Sequence, residues 1–188
     1  MSEHQESFWT KYVFSQDHKW IGIQYGVTAL FFMLFGFMLM LVMRYNMVHN
    51  ATITGDTYNS FGAMHGTIMV FLGVVPVIVG AYGNYLVPLQ IGAPDMAFPK
   101  LNMASYWSYF LGGVLMLLGF ALPGGAANSG WTSYPPLADI ATSGQTVWLL
   151  GMIFLITSSL LGSMNIIVTI VQLRVPGLTW MRLPFFVW

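Results

Sequence analysis

The chain has 188 residues, of which 56% are hydrophobic and 6% charged, with a formal net charge of +0 and no cysteine. Water-soluble domains carry about 25% charged residues, so the solvent here is lipid. Zero net charge leaves no basic surface for nucleic acid, and the absence of cysteine excludes disulfides, thiolate metal sites and haem attached through a cysteine pair. Any metal has to be held by histidine.

The first 19 residues, MSEHQESFWTKYVFSQDHK, are polar and mixed in charge and lack the short apolar core of a signal peptide, so the first apolar run is a retained span. Charge-free runs extend from Lys19 to Arg44, Asp56 to Asp95, Lys100 to Asp139 and Asp139 to Arg174. Each holds enough apolar sequence for the helix of about 20 residues that a bilayer requires. The expected architecture is all-α: one polytopic transmembrane bundle over residues 1–188, with spans near 20–43, 60–88, 102–122 and 146–173. A fifth apolar run begins at Leu183 and stops at Trp188, and reads as the start of a fifth span in a chain cut short. With the N-terminus inside, Lys11, Lys19, Lys100, Arg174 and Arg182 all lie on the inner side and only Arg44 on the outer, a positive-inside pattern.

The first span is almost wholly apolar, with Gln24 and Tyr25 near its inner end. The second places Gly66, Gly73 and Gly80 at seven-residue intervals, a smooth stripe that lets another helix or a flat cofactor approach closely. Pro76 lies in mid-span, which predicts a kink and a freed carbonyl at Leu72. The inner loop LVPLQIGAPDMAFPKLN holds three prolines and reads as non-helical. The outer loop PGGAANSGWTSYPPLADIATSG is long enough to suggest a function, and Trp131 and Tyr134 offer it either a rigid cap or an aromatic belt at the lipid interface. The fourth span gathers Thr157, Ser158, Ser159, Ser163 and Asn165. Hydroxyls bonded to the i−4 carbonyl account for most such residues, but a buried asparagine has four hydrogen-bonding valences to satisfy.

An ionisable residue inside a span is costly and points to function. His65, in GAMHGTIMVFL, is expected about one turn inside the outer end of the second span. No second histidine, carboxylate or cysteine lies at i±3 or i±4, which leaves no zinc or copper site there, whereas haem iron needs one axial residue per face. Haem ligation, a proton or substrate relay, and a hydrogen-bonded structural role all stay open on these grounds. Arg44 closes the first span on the same side and at similar depth, either as a snorkelling interfacial arginine or as a donor to polar groups on a macrocycle. On the inner side Asp95 is either a loop carboxylate or the mouth of a polar file. Asn84, Asn102, Ser105, Ser158, Ser159 and Asn165 would continue that file into the bundle.

Four elements in order, GAMHGTIMVFL, GNYLVPLQIGAPDMAFPKLN, GWTSYPPLA and SSLLGSMNIIVTIVQLRVPGLTWMRLPFFVW, resemble the N-terminal third of subunit I of the haem–copper terminal oxidases, of the cytochrome c oxidase type, from about Asp17 to Trp188. The resemblance implies that His65 is one axial ligand of a low-spin haem, that Arg44 hydrogen-bonds the formyl group of haem a, and that Trp131 stands near the haem propionates. It implies that Asp95 opens a proton pathway in which Asn84, Asn102 and Asn165 order water, with Tyr25, Ser105, Ser158 and Ser159 as further polar lining. Lys100 departs from the family's usual arginine, keeping the charge and losing the planar fork. Quinol-oxidising relatives carry arginine and aspartate where this chain has Phe35 and Leu39, and histidine and glutamine where it has Thr57 and Ser60, which favours cytochrome c as electron donor.

The ligands of the family's high-spin haem and copper lie in later helices, so no catalytic residue is expected here and the fragment alone is not expected to be active. The implied partners are oxidase subunits II and III, cytochrome c and membrane lipid, in a bacterial or mitochondrial inner membrane. The rival readings are a quinol-oxidising haem–copper oxidase and a non-haem membrane transporter with an intramembrane histidine.

Overall fold

A computed structural model describes residues 7–49 and 53–188; part of the N-terminal polar segment and the tip of the first connection lie outside them. Among the described residues four helices are long and apolar enough to cross a membrane: α1 (His18–Val48), α2 (Gly55–Ile91), α3 (Pro99–Ala121, whose last turn tightens) and α4 (Ser143–Gln172). The chain is a polytopic helical bundle, with α1 packed along α2 and α3 packed along α4. We call the end of the bundle at the close of α1 the outer end, following the orientation expected from the cations. The run at Leu183 forms a single turn, in which Val187 N–H bonds Pro184 O at 3.0 Å.

The helix ends follow local chemistry. Asp17 caps α1 by accepting from Lys19 N at 2.7 Å, Thr54 caps α2 by accepting from Thr57 N at 3.3 Å, and Pro99 stands in the first turn of α3, where its missing N–H has no intrahelical partner to lose. α2 begins five residues earlier than the expected 60–88 and runs three beyond it. It ends at Gly92, whose φ of 72° is a left-handed stop. The first part of the inner loop, LVPLQI, is therefore helical, and only the residues between Ile91 and Pro99 are irregular.

Proline shapes α2. Pro76 lacks an N–H, and in α geometry its ring would press on the carbonyl four residues back. The helix widens to π geometry on both sides, over Ile68–Val74 and Pro76–Gly83. The Leu72 carbonyl is freed as expected, and the Tyr109 hydroxyl of α3 donates to it at 2.7 Å. Pro88 repeats the effect one helix end away: the carbonyl four residues back belongs to Asn84, and the buried His18 donates to it through Nδ1 at 2.9 Å.

Glycine sets the helix spacing. A Cβ at Gly22 would lie 3.0 Å from the Ala81 carbonyl, and one at Gly80 would lie 2.6 Å from the Tyr25 ring, so α1 and α2 meet closely in their inner halves. Gly112 and Gly151 face each other across α3 and α4, each with the other's carbonyl within 3 Å of where its Cβ would stand. The core between these pairs is aromatic: Tyr25, Phe32, Tyr106 and Tyr109 make edge and tilted contacts at 5.1–6.5 Å between centroids.

Tyr109→Phe keeps this packing and strips the Leu72 carbonyl of its donor. It is expected to destabilise the protein by about 1 kcal/mol, read as an earlier thermal loss of helical circular dichroism in detergent. An unmoved transition would mean that another group reaches that carbonyl.

Candidate functional site

The outer half of the bundle is organised by His65. The imidazole is half-buried, and its Nδ1 lies 2.8 Å from the carbonyl of Gly36 on α1. A carbonyl can only accept, so Nδ1 carries the proton and Nε2 keeps its lone pair. Gly36 makes this approach possible, because α1 and α2 are in contact there: a Cβ at Gly36 would lie 3.0 Å from Met69 Sδ. The glycine stripe divides its duties. Gly73 and Gly80 receive Met33 and Tyr25 from α1, while a Cβ at Gly66 would meet nothing within 4 Å. His65 thus has an anchored nitrogen, an available one, and open space beside its own backbone.

Arg44 and His65 are not level. With α2 starting at Gly55, His65 stands about three turns into its helix, and its partner Gly36 is eight residues before Arg44, a rise of about 12 Å. Side chains lean toward the N-terminus of their own helix. The two helices are antiparallel, so exposed Arg44 leans inward and His65 outward, which narrows the gap in depth. Trp131, 61% exposed, reaches down from the outer loop to stand 6.2 Å from the ring of Phe71 on α2. Among the described residues no hydrogen bond or ring contact joins either residue to His65.

In the inner half, Tyr25 OH lies 2.8 Å from Ser105 Oγ and 3.1 Å from Ser158 Oγ, and Ser105 Oγ donates to the Ser158 carbonyl at 2.8 Å. These three residues come from α1, α3 and α4, so the cluster ties three helices. Together with Asn84 and Ser159 they line a cavity of about 480 Å³ between α2 and α4, room for on the order of ten waters. Asn84 donates to Gly80 O at 2.6 Å and leaves its own carboxamide oxygen buried with no protein partner. Asn102 is fully buried, and neither end of its carboxamide has a protein partner. Buried amides of this kind call for water.

Asp95 sits half-exposed in the inner loop, where one carboxylate oxygen accepts from Met96 N at 2.7 Å. The loop is held by α4. Asn165 accepts from Phe98 N at 2.9 Å and donates to Phe98 O at 3.2 Å, and Thr169 Oγ1 accepts from Ala97 N at 2.9 Å. Asn165 therefore fixes the segment that carries Asp95 and does not line the cavity.

Two residues of this region escaped the sequence reading. His18 is one, although Pro88 four residues after Asn84 signals a carbonyl in need of a donor. Thr169 is the other, one turn beyond Asn165 on the same face.

Residues 20–188 match the family described as cytochrome c and quinol oxidase polypeptide I. The chain is 48% identical over 196 residues to cytochrome c oxidase subunit 1 of Thermostichus vulcanus, covering 100% of this chain and 35% of that protein. It is 42% identical over 193 residues to the alternative cytochrome c oxidase subunit 1 of Bradyrhizobium diazoefficiens, covering 98% and 33%. With the probable cytochrome c oxidase subunit 1-alpha of Streptomyces avermitilis it shares 41% over 183 residues, covering 95% and 31%. The chain thus spans about a third of the length of these relatives. These matches, over a bundle of four membrane-spanning helices, make the chain a member of the cytochrome c and quinol oxidase polypeptide I family.

Proposed function

We propose that the chain is the N-terminal part of the catalytic subunit of a proton-pumping cytochrome c oxidase, in which electrons from cytochrome c pass through a low-spin haem on His65 to a haem–copper centre that reduces dioxygen to water. The observation that carries this reading is the bond from His65 Nδ1 to the Gly36 carbonyl, which leaves Nε2 as a ligand beside the open flank of Gly66. The haem supplies one-electron transfer when bound. His65 would hold the iron through Nε2, and the Gly36 carbonyl, bonded to Nδ1–H, would fix its tautomer and ring plane and raise its basicity as a ligand. Arg44 is the donor for a formyl group, which assigns haem a, and Trp131 serves the propionate side. The ligands of the high-spin haem and copper belong to the remaining two-thirds of a full-length subunit.

Protons enter at Asp95, with the N-terminus on the same inner side. A half-exposed carboxylate exchanges protons with bulk water, and Asn165 keeps its loop against α4. Asn102 and Asn84 hold water by their unpartnered carboxamide atoms, and the hydroxyls of Tyr25, Ser105, Ser158 and Ser159 continue the file along the cavity. Cytochrome c is favoured over quinol as donor because three of the four positions where quinol-oxidising relatives place polar groups are taken up within the bundle here. Phe35 contacts the ring of Phe120 at 5.5 Å, Leu39 is in the core, and Ser60 donates to loop carbonyls at 3.0 and 3.3 Å. Subunits II and III and inner-membrane lipid complete the assembly.

In the complete oxidase, His65→Ala is expected to abolish the low-spin haem band of the reduced spectrum; a retained band would sink the assignment. Arg44→Met is expected to shift that band to the blue, since it removes the formyl donor, and an unmoved band would exclude that contact. Asp95→Asn is expected to leave the spectrum unchanged while lowering turnover on the order of a hundredfold and ending proton release from vesicles, and normal pumping would place the proton mouth elsewhere.

A further inference from the structure

The outer loop between α3 and α4 is closed by two sets of bonds with different reach. At its base, Ser60 of α2 donates to the carbonyls of Ala126 and Ala127, both of which are 2% exposed, and Gly144 packs directly against Gly125 and Ala126. The base is therefore locked by α2 and by the start of α4. The tip is held differently. Residues 130–133 make a turn in which Ser133 N–H bonds Gly130 O at 3.3 Å, with Gly130 at φ 75° and Ser133 at φ 52°. Positive φ at a serine is uncommon and needs support from its surroundings.

That support is Gln145, in the first turn of α4 and 2% exposed. Its carboxamide oxygen accepts from Ser129 Oγ at 2.6 Å, and its carboxamide nitrogen donates to Ser133 Oγ at 2.8 Å. Ser129 and Ser133 are the residues two before and two after Trp131. One buried side chain thus closes a ring whose apex is Trp131, and the tryptophan itself stays 61% exposed. Here the backbone beneath it is fixed and the indole is presented.

We propose that Gln145 is a positioning residue, which through Ser129 and Ser133 sets where the Trp131 indole stands on the outer side of the haem pocket. The proposal rests on the role given to Trp131 above. In the intact oxidase, Gln145→Leu is expected to speed hydrogen exchange of the amides of residues 130–133 about tenfold and to shift the midpoint potential of the low-spin haem in the same direction as Trp131→Phe. The paired change Ser129→Ala with Ser133→Ala is expected to do the same, and Gln145→Glu, whose carboxyl group satisfies both hydroxyls, to restore both values. Ser60→Ala separates positioning from general loosening: it is expected to speed exchange at residues 126–127 and leave the potential alone. Unchanged exchange at 130–133 in Gln145→Leu overturns the proposal. So does a potential shift of the same size when Gln145→Leu is made in the Trp131→Phe protein, because the effect would then bypass the tryptophan. A wild-type enzyme without a low-spin haem band would defeat the haem reading, while the exchange rates still judge the positioning of the loop tip.

Discussion

A backbone carbonyl released inside a membrane has no water to turn to, and the bundle is arranged around that constraint. α2 contains two prolines, and each frees the carbonyl four residues earlier. Both carbonyls are answered from neighbouring helices: Leu72 by Tyr109 of α3, and Asn84 by His18 of α1. An orphaned carbonyl would cost about 1–3 kcal/mol, so each bond also fixes the register of the helix that supplies the donor. The two pins hold α2 between α1 and α3 at points three turns apart. Widened π geometry on both sides of Pro76 relieves the clash with its ring.

The histidine at the outer end inverts the same logic. Gly36 lies in an unbroken helix, and its carbonyl accepts a hydrogen bond from His65 Nδ1–H in addition to its helical duties. That bond leaves a side chain with one committed and one available nitrogen, which is the state a metal ligand needs. The glycine stripe then decides what can come near. Where α1 fills it, at Gly73 and Gly80, it is a packing surface; beside His65, at Gly66, it is open. One helix therefore carries a histidine with open space beside it in its outer half and one wall of the cavity in its inner half.

Much of this was legible in the sequence. Charge-free runs gave four spans, and Pro76 led directly to the Leu72 carbonyl. Helix ends were less so, because α2 continues past both of its expected ends on the strength of a Thr54 cap and of a proline tolerated once its lost bond is replaced. That extra length is why His65 and Arg44, equal in depth by counting from the expected ends, are offset. His18 was hidden because it stands in a polar segment among charged residues, where a histidine looks solvent-facing. The tertiary pairing with Asn84 makes it a core residue. The same proline rule that exposed Leu72, applied at Pro88, would have asked for a donor and left the choice among the polar residues at the start of α1.

Hydrogen-bond accounting also separates polar residues that share a composition and a depth. Asn165 spends both ends of its carboxamide on the Phe98 backbone, and Thr169 is shared between Ala97 N and the Asn165 carbonyl. Such side chains hold a loop: one bond at each end of the Asn165 carboxamide is committed to its backbone. Asn84 and Asn102 have buried amide atoms that no protein group satisfies, and those atoms are stable only where water completes them. Between these extremes lies the Tyr25, Ser105 and Ser158 cluster: Ser105 donates to the Ser158 carbonyl and so only accepts from its neighbours, while between Tyr25 and Ser158 either hydroxyl can donate. Reversing the direction of donation moves no heavy atom, and that is the property a proton-carrying file requires. Asn165 is thus an anchor for the segment that carries Asp95, whereas Asn84 and Asn102 keep buried amide atoms without a partner among the described residues. The division is set by which backbone groups lie within reach, which residue type alone does not reveal.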